Sequence, residues 1–228
     1  MSGDGVVTVD PHVHTRASYD ATASVRAVLE RASAVGLNAV VVTDHDEIEA
    51  SLRAAELAPE YGLVGIPGVE VSTDDGHLLA IGVDERPDPR RPFAETVETV
   101  RAAGGVAVVP HPFQRTRHGV RKSTIHDCDG IETLNACSLS SYRNREATRF
   151  ARRRDYPQLA GSDAHDAALV GRAYTEVRLP NDPADPTREA VLDAVRRGRT
   201  AVRGRLASKR SYLRKYVRNA RIRALSLL

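Results

Sequence analysis

The chain is poor in cysteine, has no long apolar run and carries no acidic residue in its last 35 positions. Each shortage removes a class of function. Cys128 and Cys137 are the only cysteines among 228 residues, and the chain bears no extracellular mark, so a disulfide framework is not expected and both read as reduced core residues. No apolar stretch approaches the ~18 residues that suggest a membrane span. The opening "MSGDGVVTVD" lacks the charged, apolar and small regions of a signal peptide, which makes the cytoplasm the expected location. There is also no Walker loop, no G-x-G-x-x-G after the first apolar run and no G-x-S-x-G elbow. From residue 194 onward stand 12 Lys/Arg, leaving 21 basic against 30 acidic residues in the rest of the chain. The net charge of +3 therefore combines an acidic body with a basic end.

What is present, 41% hydrophobic and 28% charged residues, suits one globular domain with a full core. β-Branched apolar runs fall at Val6–Val9, Ala39–Val42, Leu63–Val69, Leu78–Val83, Val106–Val109, Ile131–Leu134 and around Leu159. Helical spacing marks Ser24–Val35, Ile48–Tyr61, Phe93–Ala103 and Asn144–Arg153, with Gly36, Gly62 and Gly104 as stops. Strand-then-helix order predicts an α/β fold with a mainly parallel sheet, and seven strands in so short a chain predict a small closed barrel. The expected organisation is a barrel domain over residues 1–200 and a basic, amphipathic helical extension over 201–228.

Polar residues recur at the strand ends. His12 and His14 close the first run in "DPHVHT", where alternation turns Asp10, His12 and His14 to one side. Asp44 and His45 follow the second in "VVVTDHDE", Glu70 the third in "GIPGVEVS", and His77 opens the fourth in "GHLLAI". His111 ends the fifth in "VVPHPF", Glu132 lies in the sixth in "GIETLN", and Asp163 and His165 follow the seventh in "AGSDAH". A single histidine is more often structural than functional, and "TDHDE" alone could cap the helix near Ile48. The series is different: in a barrel the C-terminal strand ends form one face, and burying so many ionisable groups there is costly without cations. Imidazole and carboxylate ligands without thiolate suit Mn, Fe or Zn.

In order and spacing, "DPHVHT", "VTDHD", "GVEVS", "PHPF" and "GSDAH" resemble the motifs of the PHP family, named for polymerase and histidinol phosphatase, from about Val7 to Arg178. The resemblance implies a distorted (β/α)7 TIM-like barrel with two or three divalent ions, Mn, Zn or Fe, at the C-terminal ends of its strands. It implies that His12, His14, Glu70 and Asp163 hold one ion, that Glu70 bridges to a second held also by His111 and His77, and that Asp20, His45 and His165 hold a third. Asp10, Asp44 and Glu132 look instead like residues that orient an imidazole or close a hydrogen-bond network.

Two such ions about 3.5–4 Å apart would let a bridging hydroxide attack phosphorus in line. The expected function is a metal-dependent phosphoesterase acting on small phosphomonoesters or nucleotides, with no protein nucleophile. Arg115, Arg117, His118 and Arg172 are candidates for neutralising phosphoryl charge. Asp163 or an ion-bound water would protonate the leaving oxygen. Metal-dependent C–N hydrolysis on a related barrel fits the strand-end pattern less well.

At the basic end, Leu213, Tyr216/Val217, Ala220, Ala224 and Leu227/Leu228 make one apolar helical stripe among arginines. This reads as a helix packed on the barrel, or as a face steering short single-stranded nucleic acid toward the site; an anionic membrane surface is a third reading. The alternatives to a phosphatase are accordingly an exonuclease on short oligonucleotides, or a non-catalytic nucleic-acid-binding barrel. Retention of His12, His14, His45, His111 and His165 counts against the last.

Overall fold

The computed structural model describes residues 5–180 and 186–208. In chain order these form β1 (Gly5–Val13), α1 (Val25–Ala34), β2 (Ala39–Val42), α2 (Glu49–Leu57), β3 (Val64–Gly65), β4 (Gly68–Thr73) and β5 (Gly76–Ile81). There follow α3 (Phe93–Ala102), β6 (Val106–Val109), β7 (Gly130–Asn135), α4 (Ser141–Arg153), β8 (Gln158–Gly161), β9 (Ala173–Leu179), α5 (Arg188–Arg196) and β10 (Thr200–Gly204). Residues 209–228, and with them most of the expected helical extension and its apolar stripe, lie outside the described residues.

β2, β5 and β6 read as unbroken apolar runs because both of their faces are buried. In β2, Ala39 and Val41 join one core cluster while Val40 and Val42 join another; Leu79 and Ile81 against Leu78 and Ala80 divide β5 in the same way. One side of β1, β2, β5, β6, β8 and β9 faces a shared core, to which α5 contributes Val191, Leu192 and Val195. The opposite sides pack on α1 and α2, or on α3 and α4. Ser24, whose hydroxyl accepts from the Ala27 amide at 3.2 Å, caps α1 and fixes where it begins.

The mainly parallel closed barrel expected from the sequence is not formed among the described residues. Two five-stranded sheets stand in its place, ordered β10-β9-β1-β2-β3 and β4-β5-β6-β7-β8. The turn between Thr73 and Gly76 is too short for a crossover, so β5 returns antiparallel to β4, and β9 runs antiparallel to β1. The sheets meet through two isolated bridges, Val13 with Ala164 and His45 with Glu70. Both bridges lie among the candidate ligands. A second correction concerns the boundary at residue 200: residues 200–204 are β10, paired antiparallel with β9, and not the start of a helix. No helix among the described residues is long and apolar enough to cross a membrane.

Candidate metal centre

His12 and His14 leave β1 where its register against β2 shifts, between Asp10 and Val13. Two residues apart, their Nε2 atoms face each other at 3.1 Å. Glu70, from the middle of β4, is completely buried beside them. Its Oε1 lies 2.8 Å from His77 Nδ1 and 3.0 Å from His111 Nε2. Its Oε2 lies 3.3 Å from His12 Nε2, His14 Nε2 and His45 Nδ1. The antiparallel β4–β5 hairpin explains His77, which sits opposite Ser72 and so diagonally across from Glu70 on the same face.

Asp163 closes the other side. Its Oδ1 is 3.3 Å from His165 Nδ1, 3.5 Å from His14 Nε2 and 3.8 Å from His12 Nε2. Asp20 reaches in from the loop after β1, with Oδ2 2.9 Å from His165 Nε2 and Oδ1 3.9 Å from His45 Nε2. Every residue expected as a ligand thus falls in one cluster. Within it, His12-His14-Glu70, His12-His111-Asp163, His45-Glu70-His77 and His14-His45-His165 each offer ligand atoms within 4.8 Å of one another.

The chemistry of this donor set fits divalent cations. Asp163 Oδ1 and His111 Nδ1 are buried without a hydrogen-bond partner, a condition native interiors rarely tolerate unless an ion or water completes it. Burial pushes His45 down to about 2 and, with Arg117 beside it, His111 down to about 3, the neutral state that a ligand requires. Burial also opposes charge on Glu70, yet His77, His45 and His12 outweigh it and hold that carboxyl well below its usual range. For His12 burial is outweighed by Glu132 and Glu70, which lift it to about 10. His111 and Asp163 have positive φ values, 29° and 50°. Such strain persists where surrounding bonds fix it: the His111 amide donates to Glu132 Oε2 at 2.7 Å, and the Asp163 amide to the His12 carbonyl at 2.8 Å.

The residues expected to support the ligands make different contacts. Glu132 Oε1 lies 3.0 Å from His12 Nδ1 and orients that ring. Asp44 accepts the Thr15 amide at 2.7 Å and the Thr15 hydroxyl at 2.6 Å, tying the His14–Thr15 turn to β2. Asp10 points to neither imidazole: it accepts the amides of Ser162 and Gly171, both at 2.9 Å, and burial raises its carboxyl to about 6. Two contributors escaped the sequence reading. Asn135, fully buried, donates from Nδ2 to Glu132 Oε2 and to Asp163 Oδ2, each at 2.9 Å. Ser18 Oγ lies 3.2 Å from His14 Nδ1 and accepts the His45 amide at 3.0 Å.

The proposed phosphate contacts divide. The Arg117 guanidinium pairs with Asp163 Oδ2 and donates to Asn135 Oδ1 at 3.1 Å. Arg115 and His118 line an open cleft beside His45 and His77. The turn that carries all three is seated by Gly76, at φ 136°, where a Cβ would lie 2.4 Å from the His118 carbonyl oxygen. Arg172 is a correction. Its Nε and Nη2 donate to the Leu206 carbonyl at 3.2 and 3.1 Å, which commits the guanidinium to the segment after β10 and not to the cluster.

A family model described as PHP-associated matches residues 141–200. An uncharacterized protein of Methanocaldococcus jannaschii is 28% identical over 138 residues, 56% of this chain and 81% of that protein. An error-prone DNA polymerase of Symbiobacterium thermophilum is 27% identical over 184 residues, 76% of this chain but only 17% of the polymerase. Among solved structures, a two-domain Bacteroides vulgatus protein containing a predicted PHP-like metal-dependent phosphoesterase is similar with a TM-score of 0.74 at 18% identity, over 95% of this chain and 70% of that one. A lesion-specific endonuclease of Pyrococcus furiosus gives 0.61 at 18% identity, over 86% of this chain and 57% of the endonuclease. At such identities the structural likeness shows a shared fold.

Proposed function

We propose that the chain is a member of the PHP family, which its strand-end motifs, the PHP-associated match over residues 141–200 and its fold support, and that it is a metal-dependent phosphoric ester hydrolase acting on phosphomonoesters or nucleotides. The observation that carries the reading is Glu70, a buried carboxylate with His77 and His111 against one oxygen and His12, His14 and His45 against the other. One carboxylate so placed can serve two cations at once. When bound, two or three divalent ions (Mn, Zn or Fe) supply a nucleophile from water near neutral pH and Lewis acidity toward phosphoryl oxygens.

The protein's own groups bind and orient. His12, His14, Glu70 and Asp163 would hold one ion, His77 and His111 a second that shares Glu70, and Asp20, His45 and His165 a third. Arg117, with Arg115 and His118 at the rim, would hold the phosphoryl oxygens and neutralise charge as it develops. Asp163, whose Oδ2 is held by Asn135 and Arg117, or an ion-bound water would supply the proton to the leaving oxygen.

A nuclease acting on short single-stranded nucleic acid is the second reading, supported by the open cleft and by likeness to a polymerase and an endonuclease. The first reading is tested by His12→Ala and Asp163→Ala, assayed for bound metal and for phosphate release. Both variants should lose metal and about a hundredfold or more in rate, since removing even the groups that orient a metal ligand typically costs about 10–100-fold. Full activity with unchanged metal content would contradict the assignment.

A further inference from the structure

A cavity of about 520 Å³ opens against His45 and His77, within the size range of pockets that take small organic ligands. Two planar rings stand at its mouth. Tyr19 stacks on His45 with ring centroids 5.3 Å apart and 20° between planes, and His118 stacks on His77 at 5.1 Å and 25°. Tyr19 is 64% exposed in a chain with only 3 Phe, 7 Tyr and no Trp. An aromatic kept at the surface forgoes the burial that usually stabilises such a side chain; what it offers there is a flat apolar face beside the reacting centre.

The charges of the cleft narrow the occupant. Arg90, Arg115 and Arg121 line it together with Asp46, Asp74 and Asp75. A polyphosphate would meet those carboxylates at short range, whereas a neutral ring with donors and acceptors on its edge finds partners among both sets. Tyr19 also directly precedes Asp20, so the same loop brings the ring and a candidate ligand to the site.

We propose that Tyr19 is a specificity-determining residue that stacks a planar heterocycle, a nucleobase, in this cleft while the phosphate ester lies against His45 and His77. Nucleotides are then preferred over phosphorylated sugars. This deepens the phosphoesterase reading and rests on it.

The test compares adenosine 5′-monophosphate with ribose 5-phosphate on Mn²⁺-loaded wild type, Tyr19→Leu and Tyr19→Phe. The ratio of kcat/KM for the nucleotide over the sugar phosphate should fall about tenfold in Tyr19→Leu, through KM, and return in Tyr19→Phe, as expected for one base stacked on an aromatic ring. An unchanged ratio in Tyr19→Leu overturns the proposal. So does a fall accompanied by loss of bound metal, because the Asp20 loop and not the ring would then be responsible. If the wild type hydrolyses neither ester, the hydrolase reading fails, and equilibrium dialysis of the nucleotide decides the stacking site separately. Binding about tenfold weaker in Tyr19→Leu than in wild type supports the site; equal binding, or none, overturns it.

Discussion

Glu132 and His12 stand 120 residues apart in the sequence and 3.0 Å apart in the fold, carboxylate Oε1 against Nδ1. The contact turns the other nitrogen of the ring, Nε2, toward Glu70 at 3.3 Å. Both residues are buried, so the contact holds the His12 ring in the direction in which Nε2, its candidate ligand atom, faces the cluster. Glu132→Gln removes the charge and keeps the shape. It should weaken metal binding about 10–100-fold, read by calorimetric titration of Mn²⁺; wild-type affinity would show that Glu132 does not orient the ring.

The same pair sets a pH dependence. His12 is raised from the usual 6.5 to about 10, so the folded state binds its proton more tightly than the unfolded state. In chelator-treated protein that contribution to stability is fully present below about 6.5 and is lost as pH climbs toward 10. Metal affinity should move the opposite way, rising over the same window because the ion must displace the proton. Denaturation midpoints and metal titrations at pH 6.5, 8 and 9.5 check both directions, with His12→Asn as the variant that flattens them.

Asn135 links Glu132, Asp163 and Arg117. Asn135→Leu removes one donor from each of two buried carboxylates, Glu132 and Asp163, and should cost about 1–3 kcal/mol of stability. Urea denaturation measures that cost. Bound metal should fall as well, because Asp163 loses one of the bonds that aim it.

Gly76→Ala is expected to act on the substrate side. At φ 136°, with the His118 carbonyl 2.4 Å from the new Cβ, the substitution strains the backbone by about 1–3 kcal/mol and displaces the turn bearing Arg115, Arg117 and His118. KM for a phosphomonoester should rise more than kcat falls, with metal content close to wild type.

The candidate ligands other than Asp20 were legible in the sequence because they lie at or near the ends of apolar runs, and strand ends gather wherever parallel neighbours share a direction; Asp20, in the loop after β1, came only with the family resemblance. The division into two sheets in place of a closed barrel was not legible. Periodicity identifies β4 and β5 but not their relative direction, which the short turn between Thr73 and Gly76 decides. β9 escaped because its alternating burial, with Arg178 outward, reads as mixed polar sequence and not as an apolar run. Asn135 was missed for a local reason: three residues from Glu132, it belongs on the opposite face of an ideal strand. The register of β7 against β8 shifts between Glu132 and Leu134, and the shift brings both side chains to one side. Arg172 was misassigned because closeness to "GSDAH" along the chain says nothing of where a long side chain finds its acceptor, here the Leu206 carbonyl. Tyr19, in "HTRASYDA", carries no periodic signal at all.

The most direct measurement is product analysis of purified, Mn²⁺-loaded protein given a small phosphomonoester, a nucleotide and a short single-stranded oligonucleotide side by side, with chelator-treated and His12→Ala protein as controls. Inorganic phosphate from the first two substrates, abolished in both controls, is the expected result. Mononucleotides from the oligonucleotide alone would move the assignment to a nuclease, and no product from any substrate by fully metal-loaded protein would contradict the claim that this centre hydrolyses phosphate esters.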